Sequence, residues 1–132
     1  MADITISGKK SLATINKEFQ AQFPYLRLAF FTREEWDNAQ NGADTVHGLD
    51  MSQRLASVRV SKPASNEKEL SIHGRTLVKN LENNFFKLYG ICVQVCYNKN
   101  GGKYYTSGAN DDLSLTQLNA KLEQEGADKN PN

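Results

Sequence analysis

The sequence predicts an α+β fold made of two tandem β-α-β-β-α repeats, with a mixed sheet packed against helices. Three observations carry that expectation. Residues 77–97, LVKNLENNFFKLYGICVQVCY, read as an amphipathic helix, a glycine stop and an alternating strand. A weaker copy, LATINKEFQAQFPYLRLAFF, occupies residues 12–31. The spacing between the copies is nearly constant. Ile6 and Gly8 recur as Ile72 and Gly74, Ile15 and Phe19 as Leu81 and Phe85, and Gly42-Ala43-Asp44 as Gly108-Ala109-Asn110, each 66 positions later. The strands match best when Leu26 is set on Val93, a slip of one residue. The expected organisation is a single domain with a first repeat at 4–60, a linker at 61–69, a second repeat at 70–125 and a disordered tail at 126–132.

Taken in order, residues 4–7 alternate weakly and form a short strand with Ile4 and Ile6 inward. Gly8 turns the chain into a helix over 10–22, where Leu12, Ile15 and Phe19 share a face with Phe23 just beyond. Pro24 stops it, because the residue before proline avoids helical angles and proline lacks a donor. Leu26, Leu28 and Phe30 then alternate in a strand over 25–32. The polar segment 33–50 carries the only tryptophan, Trp36, and reads as an inserted loop or a short helical turn at 34–39. Its Asn41-Gly42 is a turn signal. A short helix over 51–58 buries Met51, Leu55 and Val58. Pro63 and its polar neighbours make the linker.

Strand 70–73 opens the second half, and the helix over 76–89 buries Leu77, Val78, Leu81, Phe85 and Leu88. Gly90 supplies the left-handed residue at which helices commonly end. From Ile91 the period is two, with Val93, Val95 and Tyr97 on one face and Cys92, Gln94 and Cys96 on the other. Neither face is strongly polar, which predicts a central strand. Asn100-Gly101 marks a hairpin turn, and 103–106 the return strand. Ser114-x-x-Gln117 fits a capping box for a last helix with Leu115, Leu118 and Leu122 inward, stopped by Gly126.

The 132 residues hold 16 Lys+Arg against 15 Asp+Glu. This balance offers no global attraction to nucleic acid or to an anionic membrane. No apolar run approaches the ~20 residues that span a bilayer. The opening MADITISGKK is polar and lacks the apolar core of a signal peptide, so the expected compartment is cytoplasmic. Cys92 and Cys96 on one strand would lie about 13 Å apart, too far for a disulfide. Two thiolates alone make a poor metal site. Buried reduced thiols are expected, with no metal and no cofactor.

Candidate chemistry is sparse. His73, at a strand end, could act as a general base, and Asp111 and Asp112 could join it or hold a cation. A turn histidine and a helix-start charge pair are the plainer readings of the three. His47 has less context still. Tyr97, Tyr104 and Tyr105 with Lys99 and Lys103 form the one aromatic-basic cluster. Such a hairpin could stack on bases. It equally offers a protein-binding edge, because tyrosine adds amphipathic area for little lost entropy. The expected function is therefore a non-enzymatic protein-interaction module acting through a sheet edge, the tyrosine hairpin with Lys99, Lys103, Tyr104 and Tyr105, or the 33–50 loop, with a homodimer among the partners the edge would admit. The alternative is a small-ligand binder or enzyme with a site in a cleft between the repeats. Single-stranded nucleic-acid binding through 97–106 ranks below both.

One stretch also carries a resemblance. Leu81, Tyr89-Gly90-Ile91, Val93-Gln94-Val95, Asn100-Gly101, Asp112, Ser114-Leu115 and Gln117-x-Asn119 follow a recurring pattern. Over 72–126 the chain resembles a family of small uncharacterised bacterial proteins of unknown function. Leu118 between Gln117 and Asn119 departs from the pattern. The resemblance implies no activity and assigns no residue a role.

Overall fold

A computed structural model describes residues 4–40, 48–60, 70–100, 102–105 and 108–129. The elements run β1 (Ile4–Thr5), α1 (Leu12–Gln22), β2 (Arg27–Phe31), α2 (Arg33–Gln40), α3 (Leu55–Val58), β3 (Ser71–Ile72), α4 (Val78–Tyr89), β4 (Cys92–Lys99), β5 (Gly102–Tyr105), a 3-10 turn (Gly108–Asp112) and α5 (Leu115–Gln124). The fold is α+β, as the periodicities predict.

The helix boundaries have local causes. Ser11 caps α1, its hydroxyl accepting from Thr14 N–H at 3.0 Å. The expected capping box opens α5: Ser114 Oγ accepts from Gln117 N–H, and Gln117 Oε1 accepts from Ser114 N–H. Gly90 closes α4 at φ 74°, its N–H donating to Phe86 O at 2.8 Å. Asn100 takes a positive φ of 53° at the hairpin; Gly101 lies outside the described residues.

The helix starts are also tied to distant chain. Leu12 and Ala13 N–H donate to the carbonyls of Gln53 and Met51, and Leu55 and Ala56 return bonds to those of Lys10 and Gly8. The second half repeats the exchange. Val78 N–H donates to Leu113 O, while Leu115 and Thr116 donate to Thr76 and Gly74 O. Donors that a helix start leaves without an internal partner are thereby satisfied.

The expected mixed sheet is replaced by two antiparallel ones. β1 pairs with β3, Ile4 opposite Ile72, and the larger sheet has the order β2-β4-β5. In it Leu28 faces Val95 and Phe30 faces Val93. The parallel rule for a strand-helix-strand unit applies only when both strands join one sheet. Here α1 carries the chain from one sheet to the other, and each early strand pairs with a strand from the later half. Three further expectations change. After β2, α2 takes up the helical turn expected at 34–39, and the return strand that a β-α-β-β-α first repeat calls for is not found in the first half among the described residues. α3 is shorter than the helix expected over 51–58. Ala127 is buried and Asp128 N–H donates to Asn98 O at 2.8 Å, so the first residues of the expected disordered tail pack against β4. The match at 42–44, the linker 61–69, His47 and the last residues 130–132 fall outside the described residues.

One apolar cluster draws on both halves. Ile6, Leu12, Ile15, Phe19, Phe30, Ile72, Leu81, Phe85, Tyr89 and Leu118 are all buried in it. Phe85 sits at its centre, with ring centroids 5.7 Å from Phe30 and 4.9 Å from Tyr89. A second cluster covers the opposite face of the larger sheet: Ala29, Phe31, Cys92 and Cys96, with Trp36 of α2 and Phe86 against them. Neither cysteine is in a disulfide, and both are buried. β4 is thus the central strand that its two unpolar faces predict.

Phe85→Ala is expected to lose about 3–5 kcal/mol, the cost of removing a fully buried ring whose neighbours cannot close the gap. A denaturant melt measures it, and a loss below about 1 kcal/mol would contradict the central position of the ring.

Candidate functional site

Two surfaces of the larger sheet carry chemistry. The first is the β4–β5 hairpin. Tyr97 and Tyr104 are directly opposed, and their rings stack at 5.5 Å. Tyr105 faces the other way, as strand alternation demands, and meets Trp36 edge-on at 5.6 Å and Phe31 at 6.1 Å. Tyr104 is 49% and Tyr105 40% exposed, whereas Tyr97 is half-buried against the core. Lys99 is half-buried at the end of β4. Lys103 is placed on β5 by its backbone; its side chain lies outside what the structure describes. Among the described residues no strand pairs with the other edge of β5.

The second surface is a cleft of about 270 Å³ between α2, α4 and β4. α2 contributes Arg33, Trp36 and Asp37, α4 contributes Glu82, Asn83 and Phe86, and β4 contributes Cys92, Val93 and Gln94. α2 forms here because Thr32 starts it: its Oγ1 accepts from Glu35 N–H and its carbonyl from Trp36 N–H. One turn of helix then sets Arg33 beside Asp37, with Nε 3.0 and 3.1 Å from the two carboxylate oxygens. The same guanidinium lies 5.0 Å from the Phe86 ring centroid.

Glu82 lies deepest of the charged groups. Its Oε2 accepts from Val95 N–H at 3.2 Å. Burial pushes its carboxyl up to about 7; the Val95 N–H pulls the other way, and the nearby Asp111 charge adds to the rise. Burial also pushes the Cys92 thiol up, against the pull of the Arg33 cation. Across the sheet, Asn16 Oδ1 accepts from Leu28 N–H at 2.8 Å, so each helix sends one polar side chain to one strand N–H.

The residues singled out in the sequence are not brought together here. His73 is exposed on a turn, its N–H donating to Thr76 Oγ1. Asp112 pairs with Lys79 at 3.1 Å, and Asp111 lies beside Glu82 in the 3-10 turn. None of the three lines the cleft. No group of three or more His, Cys, Asp or Glu among the described residues could hold a metal. Sequence reasoning missed Glu82, Arg33 and Trp36. Helical spacing alone puts Glu82 off the apolar stripe of Leu81 and Phe85, on the side with Lys79 and Asn83. The signal available was its match to Asn16, a polar residue bordering the apolar stripe 66 positions earlier.

No protein-family model, curated protein or solved structure matches the chain. The resemblance over 72–126 therefore rests on the sequence pattern alone. No helix among the described residues is long and apolar enough to cross a membrane.

Glu82 generates a pH dependence. In the unfolded chain the carboxyl titrates near 4.5, in the folded protein near 7. Its contribution is fully present below pH 4.5 and is lost as pH rises to about 7. Glu82→Gln keeps an acceptor for Val95 N–H without the charge. At pH 8 it should be more stable than the parent by about 2 kcal/mol, with the partial exposure of the carboxyl discounted. The gap should close by pH 4. Melts at the two pH values measure this, and a gap that widens on acidification would refute the assignment.

Proposed function

We propose that the protein is a non-enzymatic interaction module that binds a protein partner through the edge strand β5 and its tyrosines, and that its chain is two copies of one small unit. The exposure of Tyr104 and Tyr105 on an edge strand carries the first part. Apart from Val60, they are the large hydrophobic side chains most open to solvent among the described residues. Tyrosine on a strand whose outer edge meets no other strand among the described residues suits a partner that supplies a further strand, since main-chain bonds then give affinity and the rings give contact area. A second copy of the chain is one such partner. The cleft where α2 meets α4 and β4 is lined by none of His73, Asp111 and Asp112, which weighs against an enzymatic site built on those residues at the junction of the halves.

The duplication is supported by paired details. Isolated bridges join Ser11 to Arg54 and Leu77 to Ser114. In the helix-start exchanges Gly8, Lys10 and Leu12 correspond to Gly74, Thr76 and Val78, 66 positions later, while their partners Gln53, Leu55 and Ala56 correspond to Leu113, Leu115 and Thr116, 60 positions later. Asn16 and Glu82 hold Leu28 and Val95, which face each other across the sheet. The one-residue slip between helix spacing and strand spacing is the same slip found in the sequence.

Tyr104→Ala tests the hairpin. The residue is half-exposed, so stability should change by less than about 1 kcal/mol. Partner capture, oligomer size and single-stranded nucleic-acid binding are compared for parent, Tyr104→Ala and a Lys99→Glu/Lys103→Glu double variant. A partner or dimer held by the parent and lost in Tyr104→Ala is the expected result. Steeply salt-dependent nucleic-acid binding, lost in the double variant, would replace the protein reading. No difference in any assay would remove the hairpin as a site.

A further inference from the structure

The cleft between α2 and α4 is not used by the hairpin reading, and its chemistry selects a ligand. We propose that it binds a small organic cation, a primary ammonium or guanidinium on a short alkyl chain. Among the described residues its carboxylates, Asp37 and Glu82, outnumber its one cation, Arg33. Arg33 is already committed to Asp37 through both oxygens, and no cation among the described residues pairs with Glu82, whose Val95 contact is its one hydrogen bond there. An ionised Glu82 is a half-buried charge with no counter-ion among the described residues, an arrangement that favours an arriving cation. The walls fit the same ligand. Trp36 and Phe86 line the cleft, and Arg33 over Phe86 shows that a guanidinium is at home against these rings. Asn83 and Gln94 add uncharged polar groups at the wall. At about 270 Å³ the space equals roughly nine waters, which suits a ligand of about that many heavy atoms.

The charge state of Glu82 then controls occupancy. Asp111 from the 3-10 turn acts on it directly, and Arg33 and Asp37 from α2 and Cys92 from β4 line the same cleft. A bound cation favours the carboxylate, so binding tightens as pH rises through the range where Glu82 ionises. The ammonium could be a free amine or the side chain of a lysine on another protein.

The test uses the full chain with n-butylammonium, n-butylguanidinium and, as a neutral probe of the same shape, n-butanol. Trp36, the only tryptophan, reports by fluorescence from within the cleft, and calorimetry gives affinity. At pH 8 both cations should bind saturably and at least about tenfold more tightly than butanol, the scale of one charge-assisted bond. Their binding should weaken about tenfold by pH 6. Glu82→Gln should lose both the preference for cations and the pH dependence. Nα-acetyl-lysine amide binding more tightly than n-butylammonium would identify a protein side chain as the source, and weaker binding a free amine. Failure of both cations to saturate at pH 8, a flat pH profile in the parent, or unchanged cation binding in Glu82→Gln would each overturn the proposal. The parent profile decides the matter even if that variant does not fold.

Discussion

The pairing of β2 with β4 is the constraint on which the other elements depend. An antiparallel pair turns alternate N–H groups away from the partner strand. At Leu28 and Val95 those groups point outward, where an unmet donor in a buried sheet would cost as much as a lost hydrogen bond. Asn16 and Glu82 meet them from α1 and α4. Each helix is thereby held at one height along its strand. Phe19 and Phe85 then enter the same core, and the second face of the sheet is left for α2 to cover.

Much of this was legible where the cause is local. The stripe Leu81-Phe85, the left-handed Gly90, the capping box at Ser114 and Gln117 and the two faces of β4 all depend on residues a few positions apart. Strand partnership does not. Ile4 and Ile72 carry no mark of their pairing, and a strand-helix-strand pattern suggests a parallel neighbour that the chain does not use. The hairpin tyrosines were found because alternation alone sends Tyr104 and Tyr105 to opposite faces. The cleft was not, since Arg33, Glu82 and Cys92 converge through tertiary packing, and a glutamate at the margin of a helix stripe looks solvated until the neighbouring helix is in place.

The sheet divides labour between its faces. The inner face is closed by aliphatic and aromatic packing and leaves little room for chemistry. The outer face is only part-covered, by a helix whose own polar residues, Arg33 and Asp37, border the gap. Trp36 links the two features there, touching Phe31 beneath it and Tyr105 of the hairpin beside it. A change at the hairpin is therefore in physical contact with one wall of the cleft.

The long reach of the strand pairs has a consequence for synthesis on the ribosome. β1 cannot enter its sheet before Ser71 and Ile72 exist, and β2 waits for residues 92–96. At about 5–20 residues per second, the edge ending in Phe30 and Phe31 stays unpaired for on the order of 3–12 s. Throughout that interval the early half presents an apolar strand and a bare helix face to the crowded cell. Its safe passage rests on how fast the late half arrives, or on a chaperone that shields Phe30 and Phe31 until it does.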